Sequence, residues 1–419
     1  MNRKKEVNKL RAAALMLIRD SQFLFRIGEK LRELGIVGER QNGLTLFLAA
    51  VTKDLDQTVS VLVKGPTSSG KNKNNQMRGV ISLLPPESVI PRSSMTAKAL
   101  AYGPGNLRGK VFYLYEYKGG RDAQLLTRLL QSEGSLEHEH TVVTGSKRST
   151  KLAQRRGAPV ILSTTTEDQV YADDETRFLS LRADESAELT REVLRAKFRQ
   201  GSNTPAQPPL PVWQEAFRLL AGDKPKFEYP DWFSVLAENI PATDTRSRRD
   251  VDRFLSLLKA VTLCRSHSDG RITKARQIAI NLADYAVAYD ILNEAFASTY
   301  RGAHPNALKV AQTVRAMSAR LKRSVTIQQV AEDRSWERAV AYKWTKVAID
   351  HKLVRLEQGT HQNNLKSLLP GTSTETRFLP HPNDVFRARK ELGAFVRYID
   401  PLTGRNKTLR RQTEEDDGF

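Results

Sequence analysis

Short apolar runs alternate with helix-like stretches through the first half of the chain. Residues 1–55 place apolar side chains such as Leu10, Leu17 and Leu31 at mixed helical spacing, which predicts a helical lead-in. Four apolar runs with strand character follow, at residues 59–63, 89–91, 111–115 and 160–163. Strands that alternate with helices are typical of a mostly parallel sheet with helices on its faces. The pattern therefore predicts an α/β core over residues 56–200.

Beyond residue 200 the pattern changes to helices. A proline-rich segment at 201–212 predicts a break after the core. Residues 251–267 and 283–296 have the spacing of amphipathic helices, so residues 201–300 are predicted to form a linker and a helical lid.

The next segment, residues 301–370, shows helix, turn, helix, short strand and polar loop, the outline of a winged helix that binds DNA. Arg338, Lys343 and Lys346 are expected on the exposed side of its second helix; protein docking and a merely solvated basic helix remain alternatives. Residues 371–419 are predicted to form a tail with one helix at 382–398 and a disordered acidic end.

The run 59–63 leads into an octapeptide that is typical of a phosphate-binding loop. Its two glycines let successive backbone N–H groups face one anion at a helix N-terminus, with a lysine reaching the outer phosphates. The last position usually supplies a hydroxyl to Mg²⁺, whereas Asn72 offers a weaker carbonyl ligand. Nucleotide and Mg²⁺ binding are therefore predicted, with hydrolysis in question. The octapeptide consists of Gly65, Pro66, Thr67, Ser68, Ser69, Gly70, Lys71 and Asn72.

Polar residues follow two further strand candidates at the same predicted edge of the sheet, where ligands of such folds bind. Glu116 is positioned to orient or deprotonate a water for attack on a γ-phosphate. The alternative is an edge glutamate that caps a helix or makes a surface contact. The hydroxyls of residues 164–166 follow the fourth strand and could contact the phosphate or the water, although threonine is also an ordinary strand former. Arg177 could reach a neighbouring subunit's nucleotide or form a salt bridge.

The chain carries 67 Lys and Arg against 47 Asp and Glu, a net charge of +20, which favours a polyanionic partner over a merely soluble surface. The excess is clustered, because residues 301–366 contain 13 basic against 5 acidic residues and residues 140–166 contain five against none. The second cluster is predicted as a basic loop over 144–157 that grips a sugar-phosphate backbone without reading sequence, or else as a solvated loop. Its basic residues are Lys147, Arg148, Lys151, Arg155 and Arg156.

The order of phosphate loop, strand glutamate, polar sensor and Thr-Arg-Phe at 176–178 resembles the AAA+ ATPases, and within them the MCM-like helicase branch. It is similar to the MCM-like and primase-associated ATPases of bacterial mobile elements and phages. Residues 34–39 resemble that family's nucleotide-proximal segment, residues 93–100 its second-helix insertion, and residues 129–136 with the basic loop its helix and pore hairpin. The resemblance spans roughly residues 30–365.

The resemblance implies ATP with Mg²⁺, a homo-oligomeric ring such as a hexamer, and single-stranded DNA in a central pore. It implies these roles: Lys71 on the phosphates, Glu116 as catalytic glutamate, Thr165 or Thr166 as sensor 1, Arg177 as arginine finger acting in trans, and Arg249 as the lid's sensor-2 arginine. The sequence departs from the family at Asn72, Tyr115 and the sensor, and all three departures bear on hydrolysis.

The expected function is therefore ATP-driven movement on DNA, as a replicative helicase or replication initiator of a mobile element or phage. The alternatives are a nucleotide-gated, non-hydrolysing DNA-binding regulator or loader, and an adaptor that docks a primase or polymerase. No apolar run reaches membrane-spanning length and no secretory signal is found, so a cytoplasmic protein is expected. The single cysteine, Cys264, excludes an internal disulfide. The alternating segment 137–140 suits a strand better than a metal site.

Overall fold

The computed structural model describes residues 2–65, 70–93, 105–117, 134–144, 147–166, 177–184, 186–198, 207–240, 246–273, 275–301, 305–350, 353–357, 368–371 and 378–410. The helices are α1 Asn2–Ile18, α2 Phe23–Glu33, α3 Arg40–Val51, α4 Gly70–Leu83, α5 Ala187–Phe198, α6 Leu210–Asp223, α7 Phe233–Asn239, α8 Arg246–Asp269, α9 Leu282–Arg301, α10 Pro305–Leu321, α11 Ile327–Asp333, α12 Arg338–Asp350 and α13 Pro382–Ala388. The strands are β1 Val61–Lys64, β2 Val89–Arg92, β3 Val111–Leu114, β4 Ser135–Thr144, β5 Lys147–Arg156, β6 Val160–Thr165, β7 Leu179–Arg182, β8 Lys226–Glu228, β9 Gln277–Ala279, β10 Val354–Leu356, β11 Leu368–Pro370, β12 Phe395–Ile399 and β13 Asn406–Arg410.

These elements divide into two compact units. The first, called the sheet unit, comprises Met1–Val235, Val251–Leu292 and His381–Phe419. The second, called the helical unit, comprises Leu236–Asp250 and Asn293–Pro380. The segment 201–300, predicted as one linker and lid, is thus shared between the two units. Among the described residues, no helix is both long and apolar enough to cross a membrane.

A five-stranded sheet with the order β2-β3-β6-β1-β7 forms the centre of the sheet unit. Its strands are all parallel, with Val61 of β1 level with Leu162 of β6 and Leu179 of β7. All residues of β1, β3 and β6 are buried, as expected for parallel strands that helices cover on both faces. The predicted parallel α/β core is therefore confirmed, although β1 begins at residue 61 rather than 59.

Parallel strands place all their carboxyl ends along one side of the sheet. We call this side the carboxyl edge; it contains Gly65, residues 115–117 and residues 165–166. The opposite side, the amino edge, contains residues 53–56 before β1 and residues 108–110 before β3.

Helix α6 packs with the N-terminal helices through aromatic side chains. The Trp213 ring stacks on Phe23 with 6.0 Å between centroids, and Phe217 meets Phe47 edge to face at 5.6 Å. The helix starts at Leu210, inside the predicted break at 201–212, because a proline is tolerated in the first helical turn. The break is therefore shorter than its composition indicates, since Val212 at its end and Trp213 directly after it are buried.

The C-terminal segment also differs from its prediction as a tail. The helix predicted at 382–398 ends at Ala388, and residues 395–410 form the antiparallel hairpin β12–β13 of the sheet unit. Its Lys407 lies 2.9 Å from the carboxylate of Asp290 and 3.0 Å from that of Asp400. Ion pairing with Asp290, far away in sequence, is not visible in the local pattern. The acidic residues 414–417 lie outside the described residues.

The helical unit contains α10, α11 and α12, followed by the antiparallel pair β10–β11, which Val325 extends through a bridge to Leu368. Helix α11 begins with a capping box, in which Thr326 accepts from the backbone of Gln329 while the Gln329 side chain accepts from the backbone of Thr326. The predicted order of helices and strand is present. Residues 358–367, where the polar loop was predicted, lie outside the described residues.

Candidate nucleotide site and basic surfaces

The predicted phosphate loop lies between the first strand of the sheet and helix α4. Strand β1 ends at Lys64, Gly65 follows, and α4 begins at Gly70. The first turn of α4 contains no acidic residue, so the positive end of the helix dipole is available to an anion. Residues 66–69, and the side chains of Lys71 and Asn72, lie outside the described part of the chain. The strand, glycine and helix start around them fit the phosphates of a nucleotide.

Strand β6 holds the ends of β1 and β3 in place at the carboxyl edge. The backbone N–H of Gly65 donates to the carbonyl of Thr165 at 3.3 Å, on one side of β6. On the other side, the N–H of Tyr117 donates to the carbonyl of Thr164 at 2.7 Å. The hydroxyl of Thr164 also donates to the carbonyl of Tyr115 at 2.6 Å. Both neighbours of Glu116 are thus bonded to β6.

The spacing of these strands sets the distance between the phosphate loop and Glu116. Strands β1 and β3 are separated by β6, and two strand spacings amount to about 10 Å. The half-buried Glu116 therefore stands at the same edge as the phosphate loop, where the sequence placed it.

Tyr115 occupies the position where the AAA+ resemblance expects an aspartate. The guanidinium of Arg78, on α4, lies 5.3 Å from the centre of the Tyr115 ring. The centres of the Tyr113 and Tyr115 rings are 4.6 Å apart. Burial raises the pKa of the Tyr113 phenol, so this hydroxyl stays neutral. The sequence reasoning missed Arg78, although its position two helical turns after Lys71 beside an unusual tyrosine was a usable signal.

This arrangement limits how a magnesium ion could be held. Among the described residues, no group of three or more acidic, histidine or cysteine side chains could bind a metal ion. Mg²⁺ typically keeps several waters and takes substrate phosphates with one or two protein ligands. The role of Asn72 as a magnesium ligand, together with oxygens of the nucleotide, therefore stays a prediction.

The segment 34–39, which resembles the nucleotide-proximal segment of the AAA+ family, lies against α4. The Gln76 side chain donates to the carbonyl of Glu39 at 3.1 Å, and the carboxylate of Glu39 accepts from the N–H of Asp184 at 2.7 Å. Ile36 packs over Gly79 so closely that a Cβ there would lie 2.2 Å from its Cδ1. A cleft of about 360 Å³ borders this segment. The segment thus connects the helix after the loop to the end of β7.

Of the other predicted catalytic residues, Thr165 belongs to the carboxyl edge, where its carbonyl accepts from the N–H of Gly65. Thr165 is 2% exposed, while Thr166 is exposed at the same edge. Arg177 comes just before β7, and Leu179 is level with Val61, so its backbone lies at the amino edge. Within one chain the structure does not bring Arg177 together with the phosphate loop. Arg249 is exposed on α8 in the helical unit. Their roles as finger and sensor remain predictions.

The basic segment 144–157, which the AAA+ resemblance identifies with a pore hairpin, supplies the second strand of a β-hairpin. Strands β4 and β5 pair along ten residues, from Ser135 opposite Arg156 to Thr144 opposite Lys147. The opposite strand carries the exposed Glu137 and Glu139, and Gln154 donates to Glu137 at 2.9 Å. Acidic residues thus face part of the basic strand, which the count over 140–166 did not show. Arg156 is exposed, whereas the side chains of Lys147, Arg148, Lys151 and Arg155 lie outside the described set.

Helix α12 of the helical unit carries a basic outer face. Arg338, Lys343 and Lys346 are exposed, as is Tyr342, while Ala341, Trp344 and Ala348 face the core. The ammonium group of Lys343 lies 4.5 Å from the Trp344 ring centre. The three cations are therefore accessible to a polyanion, and their contact with DNA remains a prediction.

The fold and the site together define a P-loop nucleotide-binding protein. The chain belongs to the MTBMA_p00010 P-loop domain family, whose model matches residues 11–223. Among solved structures, it is similar to the crystal structure of a full-length MCM homolog from Methanopyrus kandleri, with 11% sequence identity and a TM-score of 0.41. The similarity covers 70% of this chain and 62% of that chain, so it spans less than two thirds of the homolog. No curated protein matches the sequence.

Proposed function

We propose that the chain is an ATP-dependent, DNA-translocating P-loop protein, a helicase or replication initiator of the MCM-like kind that serves a mobile element or phage. The observation that carries this proposal is the carboxyl edge. Gly65 and Glu116 lie on either side of β6. Gly65 is hydrogen-bonded to Thr165 of that strand, and both neighbours of Glu116 are hydrogen-bonded to Thr164. A nucleotide site whose two halves share one rigid strand is suited to hydrolysis, since small displacements are costly to catalysis.

In the proposed mechanism, the loop 65–72 and the start of α4 bind the phosphates of ATP with Mg²⁺. Bound ATP supplies the phosphoanhydride bond that is cleaved. Glu116 orients the attacking water and accepts its proton, because its backbone is held on both sides while its side chain is half-buried. Arg177 acts on the nucleotide of a neighbouring copy, which agrees with its place away from the loop of its own chain. Arg249 is the proposed sensor-2 arginine.

The proposed DNA contacts are the β4–β5 hairpin and helix α12. The basic residues of β5, between Lys147 and Arg156, contact single-stranded DNA in the pore of a ring. The basic face of α12 contacts duplex DNA as part of a winged helix. Both contacts are electrostatic, so affinity falls steeply with salt. A primase or polymerase is a further proposed partner of the same assembly.

A specific observation favours a second candidate function. With Asn72 in the loop and Tyr115 stacked on Arg78, the site has fewer oxygen ligands for Mg²⁺ than a typical nucleoside triphosphatase. A chain of this kind could bind ATP without cleaving it. The second candidate is therefore a DNA-binding regulator or loader in which the nucleotide organises the oligomer.

ATP turnover with and without single-stranded DNA separates the two candidates. If the first is correct, the wild-type protein hydrolyses ATP, DNA stimulates turnover, and Lys71→Ala abolishes both turnover and nucleotide binding. A wild-type protein that binds ATP without cleaving it, together with an Asn72→Ser variant that gains turnover, would establish the second. Arg405→Ala, an exposed arginine on the C-terminal hairpin, serves as the matched control and should leave turnover unchanged.

A further inference from the structure

A cavity of about 530 Å³ lies at the amino edge of the sheet unit. It is bordered by residues 53–56 before β1, residues 106–110 before β3, and residues 224–227 at the start of β8. The strands begin here, so this amino-edge cavity lies on the opposite side of the sheet from Gly65 and Glu116. Its volume is within the range of about 300–1,000 Å³ that ligand pockets have.

Five basic and two acidic residues line the amino-edge cavity. Lys53 is buried and forms an ion pair with Asp54, so these two charges offset each other. Arg108 and Lys224 are exposed, and neither has a carboxylate partner within the described part of the chain. Among the described residues, the lining of the cavity therefore has an excess of positive charge.

An aromatic wall adjoins these cations. Phe227 lines the cavity, and the ammonium group of Lys259 lies 5.8 Å from its ring centre and 5.6 Å from that of Tyr229. Tyr229 is 51% exposed, although a tyrosine ring usually buries more of its surface. An exposed ring beside unpaired cations is the combination that binds the bases and phosphates of a single strand.

The cavity is also continuous with the base of the basic hairpin. The N–H of Leu107 donates to the carbonyl of Arg156 at 2.8 Å, and Gly157 approaches the backbone of Arg108 so closely that a Cβ would lie 2.1 Å from its nitrogen. The exposed Arg156 thus neighbours Arg108 across this junction.

We propose that the amino-edge cavity binds one or two nucleotides of a single-stranded nucleic acid, with phosphates on Arg108 and Lys224 and a base against Tyr229. An acidic peptide would use the cations and leave the aromatic wall unoccupied, so a nucleic acid uses more of the site. This inference goes beyond the proposed ATPase, because the cavity is separate from the phosphate loop and binds without ATP.

Binding of a fluorescent 20-residue oligothymidylate, measured by anisotropy without ATP, tests the cations. The Arg108→Glu/Lys224→Glu variant should bind at least about tenfold more weakly at about 100 mM salt, and the slope of log K against log salt should fall by about 1.4, since each phosphate contact on a single strand contributes about 0.7. The control, Arg405→Glu/Arg410→Glu, makes the same charge change on exposed residues of the C-terminal hairpin. An equal loss in both variants would mean that only net charge matters and would overturn the site.

The aromatic wall is tested by Tyr229→Ala and Tyr229→Phe in the same assay. Loss of one stacked base should weaken binding about fivefold or more in the alanine variant, while phenylalanine retains the ring and the affinity. An oligonucleotide that contains 4-thiothymidine should crosslink under ultraviolet light to the peptide that contains Phe227 and Tyr229. Crosslinks confined to the hairpin, or equal displacement by polyglutamate of the same charge, would refute a nucleic-acid site here.

These outcomes are independent of the proposed function. Lys71→Ala should abolish nucleotide binding and leave oligothymidylate binding at the amino-edge cavity unchanged. A silent ATPase with intact cavity binding would refute the motor alone, whereas an active ATPase whose oligothymidylate affinity is unchanged by the Arg108 and Lys224 substitutions would refute the cavity alone.

Discussion

The two edges of the central sheet differ in how they present positive potential. At the carboxyl edge, backbone groups provide the positive potential, because α4 starts five residues after Gly65 and the ends of β1 and β3 are bonded to β6. At the amino edge, long side chains provide it, since Arg108 and Lys224 are exposed and have no carboxylate partner among the described residues. Backbone groups fixed by a sheet match one compact anion, whereas flexible side chains accept an extended polyanion. One sheet therefore offers two kinds of phosphate recognition.

The difference also predicts how each edge responds to its surroundings. A compact site with a helix dipole depends on geometry and on magnesium, so substitutions there should change turnover more than folding. The amino edge depends on unscreened charge, so salt should weaken it first.

Glu116→Gln should produce the largest effect. Removal of a positioned proton acceptor typically costs about 10²–10⁴ in rate, so ATP turnover should fall at least about 100-fold while nucleotide affinity stays within about threefold. Glu87→Gln, which removes a carboxylate near the amino edge, is the control and should leave turnover unchanged. Turnover that persists in Glu116→Gln would place the proton acceptor elsewhere and remove the functional contrast between the edges.

Gly157→Ala should destabilise the amino edge and spare the carboxyl edge. Gly157 has φ of +94° and an added Cβ would meet the Arg108 nitrogen at 2.1 Å. Left-handed strain costs about 1–3 kcal/mol, and the backbone clash adds to it. Urea unfolding should show a larger loss than in Gly105→Ala, which has φ of +83° and open space around the Cβ position. If the two variants lose equal stability, the hairpin base is not rigidly joined to the cavity.

The surviving Gly157→Ala protein also separates the edges functionally. Its oligothymidylate affinity should fall, because the clash displaces Arg108, while its nucleotide affinity at the phosphate loop should not change. A parallel loss of both affinities would show that the two edges are mechanically coupled through the sheet.

The smallest expected effect is a pH dependence near the amino edge. Two hydrogen bonds from Arg218, at 2.6 and 3.0 Å, lower the pKa of Glu87 from its ordinary 4.5 to about 2. A folded-state pKa below the unfolded one gives stability that is present above about pH 4.5 and lost as the pH falls toward 2. Both side chains are well exposed, so solvent screening should hold this contribution below about 1 kcal/mol.

Unfolding free energies of the wild type and Glu87→Gln at pH 6 and pH 3 measure this contribution. The variant should be slightly less stable at pH 6, and the difference should shrink at pH 3. A difference that grows as the pH falls would mean that the ion pair with Arg218 is not formed in solution.

Local patterns were sufficient for the sheet and for much of the carboxyl edge. The four strand candidates appear as β1, β2, β3 and β6, with ends displaced by at most two residues. Burial on both faces makes such strands continuously apolar, so they can be identified without knowing their neighbours. Gly65 and Glu116 could be assigned to one edge because parallel strands align their carboxyl ends.

Elements that depend on partners elsewhere in the chain could not be predicted from local sequence patterns. The C-terminal hairpin was predicted as tail, because its ion pair joins Lys407 to Asp290. The basic loop over 144–157 is a strand whose partner carries Glu137 and Glu139. Helix α6 starts within a segment rich in proline, because packing of Trp213 on Phe23 outweighs the local preference for a break.

The parallel core, the position of the phosphate loop and the excess of positive charge thus follow from periodicity, motif and composition. The location of that charge in the folded chain depends on tertiary packing. Lys53, Arg108, Lys224 and Lys259 are spread over more than two hundred residues of sequence and share no motif, yet they line one cavity. Tertiary packing also places the Arg78 guanidinium over the ring of Tyr115, which stands where the AAA+ resemblance expects an aspartate. The physical reason is that a sheet's edges gather residues by strand register and helix packing, which no local window of sequence contains.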